Sequence, residues 1–162
     1  TGVEGLRDRR TVWSSAQSGL EWKPVPGKPA VGKSGVERQR QLKQLAREFT
    51  AELLDTRANN GGEEQQLRQM SQAIHRYECP QQQILEGGIF AYVVGTDPEL
   101  FLLLEAAETD GRASWRYGLA RMNRDKLAVK FRNEEIWRVE YLAAETLRDG
   151  KQPYFCYGVQ PE

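Results

Sequence analysis

Three groups of side chains in this chain could do chemistry. His75 is the only histidine among 162 residues, and histidine is the usual general acid or base because it titrates near neutral pH. It stands beside Ile74 at the margin of an apolar stripe, a position where a structural histidine is the commoner outcome. Glu105 lies in an apolar stretch, so if Leu103 faces the core Glu105 shares that face and needs a cation such as Arg121 or Arg116. That makes it a paired structural carboxylate before it is a catalytic one. Trp115 and Tyr117 alternate with Leu119 on one strand face, and Trp137 and Tyr141 alternate with Val139 on a later one. If the two strands are neighbours, Trp115, Tyr117, Arg121 and Trp137 are the candidate ligand-binding residues.

Gly27, Lys28, Pro29, Ala30, Val31, Gly32, Lys33 and Ser34 spell a phosphate-binding loop. In such a loop backbone N–H groups cradle phosphates, the lysine reaches their charge and the serine helps hold magnesium. On this pattern Gly27, Gly32, Lys33 and Ser34 would be the cofactor-binding residues. The context argues against it. The loop must leave a buried parallel strand, whereas Pro24 and Pro26 fall in the six residues before Gly27 and exclude a central strand. Asp97, at the end of the apolar run from Phe90, could hold the magnesium but is more simply the first residue of a turn before Pro98. Ser14 and Ser15 lack a nearby histidine and a nucleophile-elbow glycine pattern, so serine-hydrolase chemistry is not expected. His75 with Cys79 and Cys156 shows none of the close spacing of a zinc site. No cofactor and no metal are therefore expected.

The composition sets outer limits. Lys plus Arg total 23 and Asp plus Glu total 23. No summed field would draw in nucleic acid or an anionic membrane, so neither is an expected partner. No run of 18 apolar residues exists, and no transmembrane segment is expected. Cys79 and Cys156 leave the redox compartment open, since sequence does not show whether the two side chains meet. The chain starts at Thr1 rather than Met, which suggests removal of something upstream, so a missing leader does not assign a cytoplasmic home; the expectation leans to export.

The elements that must position these residues fall into three stretches. Residues 1–35 hold Pro24, Pro26, Pro29 and several glycines, with Trp13, Leu20, Trp22 and Val25 as large apolar residues; they read as a partly docked tether, with Leu20 to Lys23 as a short edge strand. From Val36 to about Arg57 the residues Leu42, Leu45, Ala46, Phe49 and Leu53 recur at threes and fours, predicting one long helix capped by Ser34. Leu67, Met70, Ile74 and Tyr77 fit a second helix over 63–77, with an extended strand as the alternative for its later part.

Period-two alternation then predicts strands at Ile84–Val94, Leu100–Ala107, Ala113–Met122, Lys126–Phe131 and Ile136–Tyr141, with Tyr154–Val159 as a sixth. Arg132 to Glu135 form a hairpin turn, and the short connections imply antiparallel neighbours.

The expected fold is α+β: a single domain, 36–162, with one long helix, or two, packed on a curved antiparallel meander of five or six strands. In element order this resembles the cystatin or nuclear-transport-factor arrangement, folds that carry unrelated functions. The aromatic face is expected to be filled by the helix, with a pocket at the open end of the sheet as the place for a ligand. The leading functional expectation is a non-catalytic binding or interaction module for a protein or small molecule. The alternative is a small-molecule enzyme with a helix–sheet pocket using His75 or a buried carboxylate such as Glu105; a nucleotide binder comes third.

Overall fold

The computed structural model describes residues 3–16, 18–54 and 64–154. Its first elements are the hairpin strands β1 (Val3–Arg7) and β2 (Arg10–Ser15) and the two-residue strand β3 (Lys23–Pro24). Helix α1 (Gly35–Ala46) and strand β4 (Phe49–Leu54) come next, then β5 (Glu64–Gln66), β6 (Arg68–Gln69) and β7 (His75–Cys79). The long strands β8 (Ile84–Val94), β9 (Asp97–Thr109) and β10 (Arg112–Arg121) are followed by β11 (Lys126–Phe131), β12 (Glu134–Val139) and the short helix α2 (Ala144–Arg148).

All strand pairs are antiparallel. One sheet runs β3-β10-β9-β8-β6, with β7 also on β8; a second runs β12-β11-β4-β5; the β1–β2 hairpin stands apart. Tight turns join the hairpins. Asp110 and Gly111 at φ 51° and 72°, and Arg132 and Asn133 at φ 48° and 71°, take the left-handed geometry that matches strand twist.

The long helix predicted over Val36–Arg57 is corrected. The helix has 12 residues and is capped at Arg47, and Phe49, Ala51 and Leu53 instead alternate buried along β4. Leu45, Phe49 and Leu53 are four apart, a spacing that satisfies both a helical face and a strand face, and the deciding hydrogen bonds come from β11, over seventy residues away. The helix predicted over 63–77 is also overturned. Met70 and Ile74 are exposed, and their N–H groups donate to Ala91 and Ile89 carbonyls, so the segment runs along the β8 edge.

The aromatic face is filled mainly by the second sheet rather than by a long helix. Phe90, Tyr92, Leu102, Trp115, Tyr117 and Leu119 of the larger sheet share one core with Phe49, Ala51, Leu53, Leu127, Val129 and Phe131 of the smaller. Phe49 sits between the layers, its ring 5.4 Å from that of Tyr117 and 4.9 Å from that of Phe131. The Tyr92 hydroxyl donates to the Phe49 carbonyl at 2.9 Å. Helix α1 adds Leu42, Leu45 and Ala46 to this core. The result is a sheet-rich α+β fold of two packed layers, and the cystatin or nuclear-transport-factor arrangement, which needs the long helix, is not supported.

Among the described residues no helix is long and apolar enough to cross a membrane. The predicted strand at Tyr154–Val159, Tyr154 excepted, and the second cysteine, Cys156, lie outside the described residues.

Candidate functional site

The open side of the two layers lies between β12 and the β3–β10 edge. Tyr117, Leu119 and Arg121 point inward from β10, as every second residue of a strand must, and face Trp137 and Val139 of β12 across a small cleft of about 200 Å³. Glu21 and Lys23 close its rim, with Lys23 Nζ 3.3 Å from the Glu21 carboxylate. Burial pushes the Tyr117 hydroxyl above its ordinary range, and Glu21 adds to the effect while Lys23 opposes it.

A larger cleft of about 950 Å³ adjoins it, sharing Ser18, Gly19 and Arg121. The β1–β2 hairpin supplies Val3, Val12 and Trp13, the end of β10 supplies Ala120, and the C-terminal segment supplies Leu142, Pro153 and Tyr154. Two bonds pin the hairpin there. The Trp13 indole N–H donates to the Gln152 carbonyl at 2.7 Å, and the Ser14 N–H donates to the Gly150 carbonyl at 2.7 Å. Leu20 seats over Gly118, where any Cβ would come within 2.8 Å of its side chain.

Among the described residues Arg121 is the one charged residue lining the larger cleft. Its Nε donates to the Asn123 carbonyl at 3.0 Å, and its Nη2 to the carbonyls of Asp125 and Glu140 at 2.7 and 3.1 Å. The Tyr154 ring lies 5.9 Å from the guanidinium. Burial lowers the Arg121 pKa, with Tyr154 and Asp125 opposing that shift. The guanidinium remains the charged form at any ordinary pH.

Of the four candidate binding residues, Tyr117, Arg121 and Trp137 therefore meet in one cleft. Trp115 does not join them: it is 1% exposed in the core and lines neither cleft.

His75 and Glu105 lie on the opposite, outer face of the larger sheet. Tyr77, Gly87, Glu105 and Arg116 form one cross-strand row over β7, β8, β9 and β10. Glu105, only 3% exposed, accepts from the Tyr77 hydroxyl at 2.6 Å and from Arg116 Nε at 2.8 Å. Trp22 covers the Arg116 guanidinium at 4.7 Å, and His75 stacks on Tyr77 at 5.8 Å. Arg116, one of the two expected partners, is the one Glu105 uses. Both carboxylate oxygens are engaged and His75 is exposed; the row holds charge in place, and none of its residues lines either cleft.

The Gly27–Ser34 segment leaves β3, an edge strand of two residues. The Gly32 N–H and the Ser34 side chain and N–H already have internal partners. Ser34 and Glu37 form a reciprocal capping box at the start of α1, and the Gly32 N–H donates to the Gln41 side chain at 2.7 Å. Among the described residues no three His, Cys, Asp or Glu side chains cluster as a metal site would require.

Among the lining residues that the sequence did not bring to the site are Leu142, Thr146, Gln152 and Pro153. They lie in a segment without marked periodicity, and only the hairpin packed against them makes a cleft.

Compared with known proteins, no family model matches the chain, no curated protein matches it, and no solved structure matches it.

Proposed function

We propose that this chain is a non-catalytic binding module that takes a small molecule with a largely apolar body into the larger cleft. The observation that carries this reading is a cleft of about 950 Å³ walled by Val12, Trp13, Leu20, Met122, Leu142 and Pro153, with Arg121 as the single charge among its described lining residues. Small-molecule sites run to roughly 300–1,000 Å³ and combine apolar walls with a few placed polar groups. The full engagement of Glu105 by Tyr77 and Arg116 supports the non-catalytic part, because a carboxylate that has both oxygens bonded and lines neither cleft is poorly placed to take a substrate proton.

The test is titration with the neutral fluorescent probe N-phenyl-1-naphthylamine. The wild-type chain should bind it, and Ala120→Trp and Thr146→Trp, each filling the cleft from a different wall, should weaken binding tenfold or more while leaving the circular dichroism unchanged. Equal binding by both folded variants would move the site elsewhere, and no binding by wild type would reject the reading.

A further inference from the structure

We infer that the molecule held in the larger cleft carries an anionic head group, a carboxylate or similar oxyanion, and that Arg121 receives it through Nη1. The inference rests on the cleft being a binding site and names the class of ligand it takes.

The argument starts from the five N–H donors of a guanidinium. Three of those of Arg121 are spent on the carbonyls of Asn123, Asp125 and Glu140. These bonds come from the β10–β11 connection and from the residue just beyond β12, so they clamp the planar group from two sides. The two N–H groups of Nη1 donate to no described protein atom. Carbonyl acceptors orient the guanidinium without neutralising it, and no carboxylate oxygen among the described residues bonds to it. Asp125 bonds Arg121 through its main-chain carbonyl, and its carboxylate acts on the guanidinium only through space.

Position supplies the second half of the argument. Arg121 stands on the wall common to both clefts, so an acceptor at Nη1 can sit there with its apolar body along Trp13, Leu20, Leu142 and Pro153. The other cation near the opening, Lys23, already has Glu21 at 3.3 Å. Partial burial strengthens a charge–charge contact at Arg121 relative to one in water, and a guanidinium whose orientation is already fixed loses little entropy on receiving an anion.

Displacement of N-phenyl-1-naphthylamine by decanoate and by decanamide, below their aggregation limits at pH 7.5, separates the possibilities. The acid should compete at least tenfold better than the amide, and Arg121→Gln should abolish that advantage while Arg121→Lys retains part of it. Equal competition, or an advantage for the amide, overturns the anionic head group and leaves the cleft reading intact. An advantage that survives in Arg121→Gln overturns the assignment to Arg121. Failure of the probe itself to bind rejects the cleft and the inference with it. If Arg121→Gln does not fold, the Arg121 Nε–H resonance of the wild-type chain decides: it should shift with decanoate and not with decanamide, and an unmoved resonance overturns the assignment.

Discussion

The Tyr77 hydroxyl reaches Glu105 at 2.6 Å by laying its ring over the backbone of Gly87, the strand residue between them. A Cβ at Gly87 would lie 2.5 Å from Cε2 of that ring, closer than carbon atoms tolerate. Gly87→Ala should therefore destabilise the chain by about 1–3 kcal/mol in urea denaturation. In a Tyr77→Ala background the same change should cost much less, and an undiminished cost would show that the ring is not what Gly87 accommodates. Tyr77→Phe, which keeps the ring and loses only the bond to a charged acceptor, should cost about 1–3 kcal/mol.

Alkaline pH should expose the same bond. Burial and the Glu105 carboxylate raise the Tyr77 pKa above its ordinary value of 10.0, and burial does the same for Tyr92 and Tyr117. A raised folded-state pKa means that the unfolded chain loses its proton first. The stability contributed by the protonated hydroxyls is complete below about pH 10 and declines as pH rises past it. Unfolding free energy followed from pH 8 to 11 should fall more steeply for wild type than for Tyr77→Phe or Tyr92→Phe. Identical slopes would mean that these phenols ionise alike in the folded and unfolded chains.

The seat of Leu20 makes a second steric test. Gly118→Ala places a methyl 2.8 Å from the Leu20 side chain and should cost about 1–3 kcal/mol, a cost that should largely vanish beside Leu20→Ala. Additive losses would indicate that Leu20 does not rest on Gly118 in solution. Because Leu20 also lines the cleft, Gly118→Ala should weaken probe binding as well.

At the start of α1 the Ser34 hydroxyl accepts from the Glu37 N–H while the Glu37 carboxylate accepts from the Ser34 N–H. Ser34→Ala should lower stability by about 1 kcal/mol, whether or not nucleotide is present. Magnesium with ATP or GTP should leave the melting temperature where it is. A rise of several degrees that depends on Lys33 and Ser34 would restore the phosphate-binding reading of Gly27–Ser34.

How far the sequence showed all this varies by element. The bounds of β8 and β11 were legible to the residue, because each is a largely apolar run between polar or glycine-bearing connections. Helix α1 was overrun because Phe49 and Leu53 continue its four-residue spacing while also fitting a strand. Strands β5 and β6 were missed, and β7 was offered only as the alternative to a helix, because each is short and held by an edge of β4 or β8 that no local pattern reveals. The pairing of Glu105 with Arg116 followed from the face they share, and alternation put Tyr117 and Arg121 on one face of β10; Trp137 meets them from the other sheet rather than from a neighbouring strand. Register placed Tyr77 opposite Gly87, and register is not written in residue types.

The bond from Trp13 to the Gln152 carbonyl joins residues 139 positions apart, so the two walls of the larger cleft are made at opposite ends of the described chain. A ligand spanning them would act as a strap between the two ends. Its binding should slow amide exchange at residues 12–15 and 150–154 together, to the same extent and at the same ligand concentration. Occupancy would then be readable, without any label in the cleft, as the synchronised closing of two segments that share no strand ladder.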